Sequence, residues 1–165
     1  AAGFDLARFG RAPARFDEAE LARVNAALVH RLPFARVAER LPAGMDAAGW
    51  EAVRPNLATV ADAAAWWQVI TGPVAAPDAD TETRAYLGLA ADAAQAADWT
   101  ADPWRMVTGA LRQATGRTGR ALFAPLRQAL TGRDHGPDMA ALLPLIGREQ
   151  AVARLRAAAG VPATP

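Results

Sequence analysis

The chain has 165 residues, a hydrophobic fraction of 52%, no cysteine and a formal net charge of +1. Disulfide and thiolate chemistry are therefore closed to it, and no apolar run reaches the length of a membrane span. All eighteen basic residues are arginines: seven precede residue 41, nine follow residue 100, and only Arg54 and Arg84 stand between, among eight acids. Basic ends around an acidic middle supply a local cationic face, or else arginine simply replaces lysine on an ordinary solvated surface.

The length suits one globular domain or two small helical lobes sharing a core. No signal-peptide pattern opens the chain, and the cysteine usage fits a cytoplasmic setting. Ala1 stands where a methionine is expected, so the chain reads as a piece of a longer protein. Residues 1–16, punctuated by Gly3, Gly10 and Pro13, read as an extended lead-in. Asp17 then caps a helix from Glu18, with Glu20 placed for a capping box, and Leu21, Val24, Leu28 and Leu32 form an amphipathic stripe. Pro33 breaks that helix and starts another whose face is Phe34, Val37, Ala38 and Leu41. Asp46 caps a short helix carrying Trp50 and Val53, which ends near Arg54-Pro55.

Thr59 to Ile70 reads as a further helix with Trp66 and Trp67 on its buried side, stopped by Gly72-Pro73. Residues 74–80 are the candidate linker between a first subdomain, 1–73, and a second, 81–161. The second holds helices over Thr81–Ala97, from Asp102-Pro103 to Gly116, from Thr118 or Gly119 through Leu130, and over Asp138–Ile146 and Arg148–Ala159. Pro125 fits only if it lies in a first turn. Residues 162–165 read as a frayed tail. No segment alternates with period two, so the fold class is all-α, a two-lobed helical bundle.

Catalytic chemistry is sparse. His30 and His135 are the only histidines, too few for a histidine-rich metal site or a triad. The stretch from Thr115 to Arg120 has two glycines and two arginines but lacks the P-loop lysine and a preceding strand. It reads as a helix–helix turn. The five tryptophans, all between residues 50 and 104, are either packing residues or a stacking platform for bases.

Two phrases carry a resemblance. Near the start stand Ala12-Pro13-Ala14-Arg15-Phe16-Asp17, then Leu21 and Asn25. Near the end stand Pro125-Leu126-Arg127-Gln128-Ala129-Leu130-Thr131-Gly132, then Gly136-Pro137, Ile146-Gly147-Arg148-Glu149 and Arg154-Leu155. In this order and spacing the chain resembles the C-terminal, anticodon-binding part of bacterial glutamyl-tRNA synthetases, across nearly its whole length. The resemblance implies an all-helical cage that receives a tRNA anticodon loop. Catalysis would lie in a class I domain of the same polypeptide, using ATP with Mg to glutamylate tRNA(Glu). No cofactor, no membrane and a monomeric state are implied for this part.

The resemblance assigns Arg127 to anticodon bases and Gly136, Pro137 and Met139 to the corner packed against them. A salt bridge for Arg127 and plain turn geometry for Gly136-Pro137 are the competing readings. A helix start at that corner also offers amides to an anion. Arg133, Arg117, Arg120 and Arg112 are candidate phosphate contacts, which position without specifying. Members that discriminate between tRNAs carry an arginine where this chain has Asn56, with Arg54 close by. Asn56 would leave the third anticodon base unread and admit tRNA(Gln) as a second partner. A helical protein-interaction or regulatory module, exposing Trp66, Trp67 or Trp104, is the alternative.

Overall fold

The structure, a computed structural model, describes residues 17–161; the lead-in, its Ala12–Phe16 phrase and the tail lie outside them. Eight α-helices follow in order: α1 (Glu18–Val29), α2 (Ala47–Val53), α3 (Ala63–Thr71), α4 (Thr81–Ala96), α5 (Pro103–Thr115), α6 (Gly119–Thr131), α7 (Met139–Ile146) and α8 (Arg148–Ala158). Among the described residues there is no strand, and no helix is long and apolar enough to cross a membrane.

Helix starts follow local chemistry. The carboxylates of Asp17, Asp46, Asp80, Asp102 and Asp138 each accept a backbone N–H from the first turn of the next helix. Each satisfies donors that the helix itself leaves free. At α1 the capping box is incomplete: Glu20 turns outward to Arg23 at 2.6 Å. Gly116 and Gly132 end α5 and α6 in the left-handed conformation, with φ of +68° and +67°.

Three elements differ from the sequence expectation. The helix expected over Phe34–Leu41 is two 3-10 turns, Phe34–Arg36 and Ala38–Arg40. Pro42 disfavours helical geometry at Leu41, and Val37 leaves the helical region to bury its side chain at 1% exposure. The helix expected from Thr59 begins instead with a 3-10 turn, Val60–Asp62, where the Asp62 carboxylate accepts from the N–H groups of Ala58 and Thr59. Pro125 sits in the interior of α6, past its first turn. It cannot donate to the Ala121 carbonyl, and the neighbouring Leu122 carbonyl accepts from the Tyr86 hydroxyl at 2.6 Å.

A fourth difference concerns α1. Val29 is its only buried residue, while Leu21, Val24 and Leu28 are 54%, 46% and 61% exposed. Of the predicted stripe, Leu32 lies beyond the end of α1 and packs against the core, while the other three side chains are uncovered. His30 caps the helix, but its ring reaches the Leu57 carbonyl at 2.9 Å rather than the helix's own end.

One buried core runs from Val29 to Ala158. Its most extensive helix contact joins α4 and α8, whose buried faces are rich in alanine: Ala90, Ala91 and Ala94 on one, Ala151 and Ala158 on the other. Small side chains let the two axes approach closely. Helices α2 and α3 pack on α7, so the segments before and after residues 74–80 share this core.

At its centre lies Arg154 of α8, 6% exposed. Its guanidinium donates to the carbonyls of Leu130 (2.6 Å), Val69 (2.8 Å), Ile70 (3.2 Å) and Gly72 (2.7 Å). Those oxygens belong to the C-terminal ends of α6 and α3, where helices run out of N–H partners and carry partial negative charge. Desolvation lowers the Arg154 pKa from its ordinary value. One turn earlier, the Gln150 amide donates to the carbonyls of Gly72 (3.0 Å) and Thr71 (3.3 Å).

Arg154→Leu strips those carbonyls of their donor, and we expect a loss of about 3 kcal/mol or more. Urea unfolding monitored by tryptophan fluorescence reads it; an unchanged midpoint would show that the Arg154 hydrogen bonds add no stability. Tyr86, the only tyrosine, is buried, and desolvation raises its pKa to about 12. The unfolded phenol ionises near pH 10, so folded-state stability falls as pH rises from about 10 towards 12. A tyrosinate absorbance titration of the native chain should have its midpoint near 12, and Tyr86→Phe should remove that part of the alkaline loss.

Candidate nucleic-acid interface

The arginines of interest collect around the corner between α6 and α7. Helix α6 presents Arg120, Phe123, Ala124 and Arg127 along one face, at helical spacings of three and four. These four residues and Asp134, from the loop beyond Gly132, line a groove of about 390 Å³. Neither Arg120 nor Arg127 forms an ion pair among the described residues. The salt-bridge alternative for Arg127 therefore gives way to another contact: Nη2 donates to the Pro137 carbonyl at 3.0 Å. Its Nη1 is buried without an acceptor. The guanidinium is thus held against the corner with half of its fork unused.

The corner is built around Trp66. Gly136 has φ +144°, and a Cβ there would fall 2.1 Å from Cη2 of the Trp66 ring, so no side chain fits while the indole stays. The Arg133 guanidinium carbon lies 4.8 Å from the Trp66 ring centroid, a cation–π contact on an exposed side chain. Pro137 and Met139 are buried and shape the corner through the backbone they fix. The amides expected to await an anion at the start of α7 include one already taken: the Asp138 carboxylate accepts from Ala140 N–H at 3.0 Å.

At the end of α6 a larger groove, about 690 Å³, runs between α3, the extended residues 73–77 and the last turn of that helix. Gln68, Gln128, Thr131 and Arg133 supply its polar lining, and Gln128 Oε1 is buried without a donor. Arg127 thus lines one groove and Arg133, within the α6–α7 loop, the other.

The remaining candidates lie elsewhere. Arg117 is drawn into the body, paired with Glu82 and stacked 4.3 Å from the Tyr86 centroid. Arg112 is exposed in the last turn of α5. Arg54 pairs with Glu51 at 2.6 Å and donates to the Leu32 carbonyl at 3.0 Å. Asn56 is exposed at the end of the 3-10 turn Arg54–Asn56. Among the described residues no cluster of three or more His, Cys, Asp or Glu is placed to hold a metal.

Two participants escape a reading of the sequence by motif. Phe123 carries a weak signal, its place three residues after Arg120 and four before Arg127. Trp66 carries none, because seventy residues separate it from the glycine it excludes from substitution.

Comparison with known proteins bears on this geometry. A ligase of Novosphingobium aromaticivorans named glutamate–tRNA ligase 1 is 66% identical over 157 residues, covering 95% of this chain and 36% of that protein. Glutamate–tRNA ligase 2 of Erythrobacter litoralis is 59% identical over 156 residues, covering 94% and 34%. The chain therefore spans about a third of the length of these relatives. The crystal structure of a glutamate–tRNA synthetase from Elizabethkingia anophelis superposes with a TM-score of 0.74 at 19% identity, over 96% of this chain and 34% of that one, and so shares the fold. The family model described as anticodon binding domain matches residues 15–159. On that match the chain belongs to the anticodon-binding domain family, in the form found in glutamyl-tRNA synthetases.

Proposed function

We propose that this chain receives the anticodon loop of tRNA(Glu) and positions it for a catalytic domain on the same polypeptide. That domain would use ATP with Mg to activate glutamate. The observation that carries the reading is Arg127, without an ion pair among the described residues, anchored on the Pro137 carbonyl and lining a groove at the corner of an anticodon-binding domain. A planar donor fork fixed at one nitrogen suits the edge or face of an unpaired base. In this reading subdomains 1–73 and 81–161 hold one RNA loop between them.

The protein-interaction alternative needs exposed tryptophans. Trp66 is 9% exposed, and Trp67 and Trp104 are only partly exposed against the core. Leu21, Val24 and Leu28 on α1 form an apolar stripe that does stand open. We assign it to contact with the remaining two thirds of the polypeptide, since an apolar strip of this kind is costly to leave in water. Asn56, exposed and uncharged, supports weak discrimination at the third anticodon base, and hence tRNA(Gln) as a second partner.

Titration with tRNA(Glu) and tRNA(Gln) transcripts at two salt concentrations tests this. Arg127→Ala should weaken tRNA(Glu) binding about tenfold or more, with a smaller effect on a scrambled anticodon. Arg120→Ala should weaken both RNAs alike and reduce the salt slope by about one. Equal affinity of the wild-type chain for cognate and scrambled loops would refute anticodon reading. Gly136→Ala, by expelling Trp66 from its seat, should lower both stability and affinity; normal binding would show that the corner plays no part.

A further inference from the structure

Phe123 is the most exposed phenylalanine, tyrosine or tryptophan among the described residues, at 37%. Leaving a phenyl ring in water forgoes favourable burial, so its position asks for a reason. Its surroundings are not those of an ordinary surface residue. Arg120 and Arg127 lie one turn to either side on the same face of α6, and Ala124 between them is too small to fill the groove. Behind the ring stands Trp104 of α5, with centroids 6.0 Å apart and planes inclined by 32°. Trp104 is partly buried against the core, so Phe123 is braced on its inner side.

We propose that Phe123 is a stacking platform for one unpaired base of the bound RNA loop, with Arg120 and Arg127 at its two edges. The inference rests on the RNA-binding reading above and adds to it a specific contact. A groove of about 390 Å³ floored by a braced ring and flanked by two cations matches a single nucleotide: the ring takes the π face and the guanidinium groups take phosphate or base oxygens. Asp134 on the rim disfavours a second phosphate at the same place. Charge complementarity therefore selects a splayed-out nucleotide over an apolar peptide, which would leave both guanidinium groups without an anion.

The test uses this chain and a hairpin RNA bearing the glutamate anticodon in its loop. Three proteins are compared, wild type, Phe123→Leu and Phe123→Trp, with circular dichroism confirming that each is folded. Leucine keeps an apolar side chain but removes the π face, and should weaken binding about tenfold. Tryptophan should bind as well as phenylalanine or better. Hairpins with an abasic nucleotide at successive loop positions locate the partner: at one position the wild type should lose the same factor while Phe123→Leu loses nothing more. If wild type and Phe123→Leu bind the intact hairpin equally, stacking is refuted and the anticodon reading stands. If leucine and tryptophan weaken binding alike and no abasic position cancels the loss, Phe123 is a packing residue and the proposal fails. If the wild type does not bind the hairpin, the RNA reading itself falls.

Discussion

A single buried cation organises this molecule. Among the described residues Arg154 has no carboxylate partner; it is held by carbonyl oxygens that terminate two helices. An isolated charge in a protein interior is unfavourable, and so are unpaired helix-end carbonyls. Bringing the two together resolves both at once, because the guanidinium fork offers more donors than one carbonyl needs. The result is geometric. The C-termini of α3 and α6 must converge on α8, and the chain between residues 72 and 81 must run extended past them.

That convergence builds the corner. With the end of α3 fixed beside the end of α6, Trp66 of α3 lies beneath the loop that follows Gly132. The loop passes so close to the indole that position 136 has no room for a side chain. Arg133 settles on the indole, and the Pro137 carbonyl is presented to Arg127. The corner is therefore not a loose arginine patch. Arg127 and Arg133 are each steered by a neighbour that accepts a donor or offers a ring face, which would lower the ordering cost in the proposed RNA complex.

Pro125 contributes at the same level. In the middle of α6 it removes the hydrogen bond to the Ala121 carbonyl, and the neighbouring Leu122 carbonyl receives the Tyr86 hydroxyl from α4. The same helix carries Arg120, Phe123 and Arg127 along its groove face. A residue that breaks helix rules is thus embedded between the core and the face proposed to meet RNA.

Much of the fold was legible because it depends on neighbours in sequence. Aspartates before helices, glycines after them and an apolar period near three and a half act over a few residues, and these gave the helices and most of their ends. The phrase from Pro125 to Gly132 likewise marked the helix that carries the site. Other features depend on partners far along the chain. Arg154 reads as one more arginine until helices α3 and α6 surround it. Trp66 and Gly136, seventy residues apart, meet only when α3 and α6 are brought together. The stripe on α1 obeys the rule for a buried face, yet lies open because periodicity states which face is apolar and not what covers it. Sequence alone determined that this chain is a helical body with arginines near its α6–α7 turn. Tertiary structure decided which of the chain's arginines are consumed in the body, as Arg117 and Arg154 are, and which line a groove without an acidic partner among the described residues, as Arg120 and Arg127 do, because a guanidinium's availability depends on the acceptors folded around it.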